Sequence, residues 1–188
     1  MIAKDPRNAE RIKPYLGGSE VNSHPKHLHH RYVIDFEDYP LRREASLESW
    51  ITAAEPTQRE MLRTGIVPSD YPKPVAADWP DLLDIVERLV KPERDKITDQ
   101  IGKRIWWRFL RSRPELHNTI KDLDVAIVRS LTSSHFPCFA RVPKSQIFDQ
   151  TLVVFGGTSW GRSRGENRVR ALLSTERQAY REGLCPLP

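Results

Sequence analysis

The stretch VAIVRSLTSSHFPCFARVPKSQIFDQTLVVFGG, residues 125–157, decides the fold class. Val125–Arg129 is a short apolar run rich in β-branched residues. Phe136–Val142 alternates around aromatic side chains, and Leu152–Phe155 is a third apolar run closed by Gly156-Gly157. β-branched and aromatic residues fit a pleated, half-buried surface, and glycine pairs punctuate it. Three strands in quick succession, after a helical region, predict an α+β fold: a twisted mixed sheet with flanking helices in a single domain.

Working outward toward the N-terminus, Pro114–Leu123 reads as a helix with Glu115 near its positive end. Leu82, Leu83, Ile85, Val86, Leu89 and Val90 form a broad apolar stripe on a second helix, which Asp78 is placed to cap and Pro92 to break or kink. Glu93–Arg104 continues as a charged helical face before the dense run Ile105-Trp106-Trp107-Arg108-Phe109-Leu110. Residues 44–77 resemble an insertion, with a helix near Leu47–Ala54 and then Pro56, Pro68, Pro72 and Pro74, which oppose regular structure. Tyr32–Phe36 reads as a strand. Asn8–Leu16 reads as a short amphipathic helix ended by Gly17-Gly18, and Val21–His30 as a polar loop. A further helix is expected within Glu166–Tyr180.

A chain of 188 residues suits one domain with one core. The net charge is +5 and unevenly spread. Residues 44–100 carry 7 basic and 12 acidic groups, whereas residues 101–140 and 141–188 each carry a net of +4. A basic second half behind an acidic insert is the footprint of a polyanionic partner. Cys138 and Cys185 stand in no metal-binding spacing and form no disulfide framework, which predicts a reducing, cytoplasmic setting. The first ten residues lack the apolar core of a signal peptide, and no apolar run reaches the length of a membrane helix; no membrane partner is expected.

Several blocks in sequence order resemble one family. They are Ile12-Lys13-Pro14-Tyr15-Leu16-Gly17-Gly18, Val21-Asn22-Ser23, Arg31-Tyr32-Val33-Ile34-Asp35-Phe36, Trp79-Pro80-Asp81-Leu82-Leu83-Asp84-Ile85-Val86-Glu87, Val90-Lys91-Pro92-Glu93-Arg94-Asp95, Trp106-Trp107-Arg108-Phe109, Arg113-Pro114-Glu115-Leu116, Phe139-Ala140-Arg141-Val142-Pro143 and Leu152-Val153-Val154-Phe155. Together they resemble the target-recognition domain of MmeI-like, type IIL restriction–modification enzymes and related adenine-specific DNA methyltransferases. The resemblance covers residues 8–155, with the insert at about 44–77, and leaves 156–188 as a divergent C-terminal tail.

It implies a domain that reads base edges of double-stranded DNA and hands one adenine to a catalytic domain that uses S-adenosylmethionine. The family's Asn-Pro-Pro-aromatic signature, a full glycine-rich S-adenosylmethionine loop and an acidic-Lys nuclease triad are absent from this chain. No catalytic residue and no cofactor site is therefore expected here. Methyl transfer would belong to a methyltransferase domain in cis or in trans.

The DNA-contact candidates combine cations with small polar groups. Arg108, Arg111 and Arg113 accompany the two tryptophans, which could stack on an exposed base or belong to the core. Arg129, Ser133, Ser134 and His135 sit around a turn between strands. Lys144 can hold a phosphate, and Gln146 can pair with adenine. Lys26 and Arg31 flank a histidine-rich loop as phosphate contacts. His24, His27, His29 and His30 crowd that loop without a helical His-x-x-x-His pair, so no metal is expected; the alternative is a small metal-dependent enzyme built on them. A second alternative is a protein-interaction module or decayed fragment without DNA affinity. Phe155–Gly161 has neither Walker spacing nor a dinucleotide fingerprint and reads as a turn.

Overall fold

The sheet region is built as two sheets around one core. A computed structural model describes residues 2–110, 113–132, 139–156 and, as backbone alone, 170–172. Strands β5 (Val125–Ser130), β6 (Phe139–Pro143), β8 (Leu152–Gly156) and β9 (Arg170–Leu172) form an antiparallel sheet in the order β6-β5-β8-β9. A second sheet, in the order β2-β1-β7, joins β1 (Ile12–Leu16), β2 (Arg31–Ile34) and β7 (Ile147–Phe148), with β1 and β7 parallel.

The expected period of two is plain in β5 and β6. Ala126, Val128, Ala140 and Val142 are buried, while their neighbours along each strand face outward. The buried side meets Leu16, Val21, Phe148, Leu152 and Val154, with Leu116 and Ile120 from α6 (Pro114–Ile120). Each such side chain contributes about 1.5–3 kcal/mol when fully withdrawn from water.

The chain divides into two compact units. Among the described residues, 13–33, 113–156 and 170–172 make the sheet unit, and 2–12 and 34–110 make a helical unit. The α+β class is as the sequence predicts. Instead of one sheet and one core, however, the described residues form three sheets, and their buried side chains gather into three clusters.

In the helical unit, α3 (Pro80–Leu89) and α4 (Lys91–Lys96) are separated at Val90, as Pro92 foretells. Helix α5 (Gln100–Arg104) follows, capped by the Asp99 carboxylate, which accepts from the Ile101 N–H at 3.0 Å. Phe36, Trp79, Leu82, Val86, Trp106 and Trp107 form this unit's larger cluster.

The insert is more regular than its prolines suggest. Pro56 lies in the first turn of α2 (Glu55–Thr64), where its missing N–H costs nothing, so the helix begins about where the expected one at 47–54 would end. Strands β3 (Arg42–Glu44) and β4 (Ile66–Pro68) pair in parallel, and Ala53, Met61, Val67, Tyr71 and Val75 pack together.

Other local expectations are corrected. Asn8–Leu16 is a 3-10 turn (Pro6–Glu10) followed by β1, because Pro14 cannot donate within a helix and biases Lys13 toward the extended region. Gly17 is extended, at φ −119°, and starts α1 (Gly18–Ser23) rather than ending a helix; part of the expected polar loop is thus helical. Asp78 does not cap α3. Its carboxylate accepts from the Val75 N–H at 2.9 Å and from Arg43 at 2.8 Å. Within the expected C-terminal helix, residues 170–172 pair as a strand with β8. No helix among the described residues is long and apolar enough to cross a membrane.

Candidate nucleic-acid interface

The sheet unit's antiparallel sheet turns one side away from its core, and that side concentrates cations and rings. Register sets the pattern. Arg129 lies opposite Phe139 on one flank and Val153 on the other. Ile127 lies opposite Arg141 and Phe155. Opposed residues on one face of an antiparallel pair stand about 4.5–5.5 Å apart at Cβ, so these six side chains form two adjoining rows. The Phe139 and Phe155 rings meet at 5.7 Å between centroids, tilted by 50°. Arg141 is exposed and Arg129 half-buried, and neither forms an ion pair with a carboxylate among the described residues.

Beyond the sheet, a polar corner forms where Gly18 meets the end of β5. The Gly18 N–H donates to the Thr151 hydroxyl at 2.9 Å, and Asn22 Nδ2 donates to the Ser130 hydroxyl at 3.2 Å. Ser130 and Thr132 share a hydrogen bond at 3.0 Å. A Cβ on Gly18 would lie 2.7 Å from the Ser130 oxygen, so only glycine fits there without displacing the hydroxyls.

The residues singled out in the sequence fall into different environments. Lys26 is exposed in the turn after α1. Lys144 is half-buried, and its ammonium donates to the Lys121 carbonyl. Arg113 adopts a left-handed backbone, at φ 47°, ahead of α6 and reaches toward the Phe148 carbonyl. Arg111, Ser133, Ser134 and His135 lie outside the described residues.

Arg31 is not an open phosphate contact. Its guanidinium binds Glu20 Oε1 at 2.6 and 2.7 Å and lies over the Tyr15 ring. Gln146 is buried, and its amide nitrogen donates to the Pro143 carbonyl, so it does not face outward to pair with adenine.

Arg108 belongs to the helical unit. It lies over the Trp107 ring and donates to the Asp38 carbonyl at 3.1 Å. Burial pushes its guanidinium below its ordinary value, partly offset by Asp38. Trp106 and Trp107 are core, the second donating from Nε1 to the Tyr39 carbonyl at 3.0 Å. Neither offers a face to a base.

The histidines do not converge. His27 Nδ1 meets the Val21 carbonyl, His24 Nδ1 accepts from the Lys26 N–H, His29 edges onto Tyr32, and His30 lies 3.4 Å from Glu20. No group of three metal-ligating side chains assembles among the described residues.

Phe139, Arg141 and Phe155 were not picked out as contacts from sequence. The signal was present: in Phe139-Ala140-Arg141-Val142 every second residue is large and small or apolar residues alternate with it, so the phenylalanine shares the outward side with the arginine. Comparison with protein-family models, curated proteins and solved structures finds no match.

Proposed function

We propose that this chain is a sequence-recognition module for double-stranded DNA, acting beside an adenine-specific methyltransferase domain carried in cis or in trans. The observation that carries the reading is the outer side of the antiparallel sheet, where Arg129 and Arg141 stand without a carboxylate partner among the described residues. Exposed Lys26 adds a further cation in the same unit. The ordered blocks resembling the target-recognition domain supply the partner's identity. Affinity in this reading comes from phosphate neutralisation, and base choice from a few polar side chains.

Selection on random duplexes at two salt concentrations tests it. Enrichment of a short motif is the expected result. The logarithm of the binding constant should fall linearly with the logarithm of salt, with a slope of roughly 0.9 per phosphate neutralised, and Arg129→Ala with Arg141→Ala should reduce that slope by about two. Weak binding without sequence preference would mark a mere polycation, and no binding at low salt would end the reading.

A further inference from the structure

We infer that the outer side of the antiparallel sheet is a stacking surface for unpaired nucleobases, so that this protein takes a single-stranded nucleic-acid segment there. The inference rests on the DNA reading above and adds that the same surface, whose arginines contact duplex phosphates, also takes an unpaired segment through its rings.

Phe139, the first residue of β6, is 42% exposed. A solvent-facing strand position is ordinarily polar, and this one adjoins a second ring, Phe155. The opposite side of the same strands already supplies the core, through Ala126, Val128, Ala140 and Val142. Phe139 is therefore not needed to bury that core. Arg129 is its direct neighbour across β5–β6, and Arg141 is two residues along its own strand.

Rings and planar guanidiniums on one surface match the chemistry of an unpaired base attached to a phosphate. The base presents a π-face to a phenyl ring, and the phosphate takes the cation. A duplex keeps its base faces stacked inside and shows only edges and phosphates, so a phenyl ring gains little from it. The absence of a carboxylate among the described residues of this surface fits an anionic strand better than a basic peptide.

The test is fluorescence anisotropy on the full chain, using a labelled oligothymidylate of about 12 nucleotides, within the range a stacking surface of this kind engages, and a duplex of the same length. Phe139→Ala should weaken single-strand binding on the order of tenfold, the usual consequence of losing one stacked base. Duplex binding should be unchanged. Phe139→Tyr, which keeps the ring, should retain the single-strand affinity. Arg141→Gln should weaken both and lower the salt slope by about one.

If Phe139→Ala leaves single-strand binding intact, or the chain binds only the duplex, the stacking surface is wrong while the DNA-recognition reading survives. If neither form binds at low salt, both fall. Tight capture of an apolar peptide by the same surface, lost in Phe139→Ala, would also overturn the inference.

Discussion

Gly65→Ala is expected to lower the unfolding free energy by about 3 kcal/mol, from a left-handed backbone and an overpacked contact acting together. Gly65 ends α2 at φ 79° and ψ 8°, donating to the Met61 carbonyl. Its own carbonyl accepts from Leu41 and Arg42, which ties the turn to the start of β3. A side chain at this φ costs about 1–2 kcal/mol by itself.

The second cost comes from Trp107. An added Cβ would fall 2.3 Å from its Cη2 and 2.5 Å from its Cζ2. The indole has little room to retreat. It is buried, held at Nε1 by the Tyr39 carbonyl, set edge-on to Trp106 and overlain by Arg108. For a chain of this size the loss corresponds to a fall in Tm of roughly 6–12 °C. Gly65→Asn separates the two causes: asparagine tolerates the left-handed region, yet keeps the clash, so it should remain destabilised by about 1–3 kcal/mol. Unfolding free energies from urea titration within about 0.5 kcal/mol of the parent for both variants would refute the packing of Trp107 over this turn.

That turn also shows where sequence reading stops. Helix α6 and strands β5 and β8 were legible because their apolar periods are local and unbroken. The α3–α4 break was legible because an interior proline breaks or kinks a continuous helix. By contrast, Ile12, Tyr15 and Leu16 fit a helical spacing as well as a strand; Pro14 disfavours the helix locally, and the strand's partners, β2 and β7, the latter more than 130 residues later, are not local at all. Helix α1 buries a single large apolar residue, Val21, and so carries almost no periodic signal.

The α2 prediction slipped because Pro56 was read as a breaker, when in a first turn it is a starter. At the candidate interface, the charge asymmetry and Arg129 were readable. Phe139 is readable only by weighing its alternation with Ala140 and Val142 above the ordinary assignment of a strand aromatic to the core. Arg31 and Gln146 misled for the opposite reason: composition places cations and amides at the surface and cannot show that a particular one is matched to a buried partner.

The partner of Arg31 gives the other large expected effect. Glu20 has a fully buried side chain that accepts three hydrogen bonds, from Arg31 Nε on one oxygen and from the Gly17 N–H and the Ser19 hydroxyl on the other, and Arg31 Nη2 adds an ion-pair contact to the first oxygen. Glu20→Gln keeps the shape but replaces one acceptor oxygen with an NH₂ that confronts donors, and it removes the counter-charge of a half-buried guanidinium. Breaking a buried pair on one side costs about 3–5 kcal/mol, and the partial exposure of Arg31 brings the expected loss to about 2–3 kcal/mol at neutral pH.

Burial by itself pushes this carboxyl up. The hydrogen bonds from Ser19, from the backbone and from Arg31, with the Arg31 charge, outweigh it and hold the group below its ordinary value. A carboxyl lowered in the folded state stabilises the fold above its unfolded value, near 4.3, and that stabilisation is lost as pH falls through the folded value. The stability gap between the parent and Glu20→Gln should therefore be full at pH 7, begin to close as pH falls toward the unfolded value and go on closing as pH falls through the lower folded value. Urea midpoints across that range measure it. A gap that stays constant from pH 7 to pH 2 would show that the carboxylate's charge does not hold Arg31. Adding Arg31→Met to Glu20→Gln should recover more than about half of the single-variant loss, because the double change leaves no unmatched charge beside Tyr15.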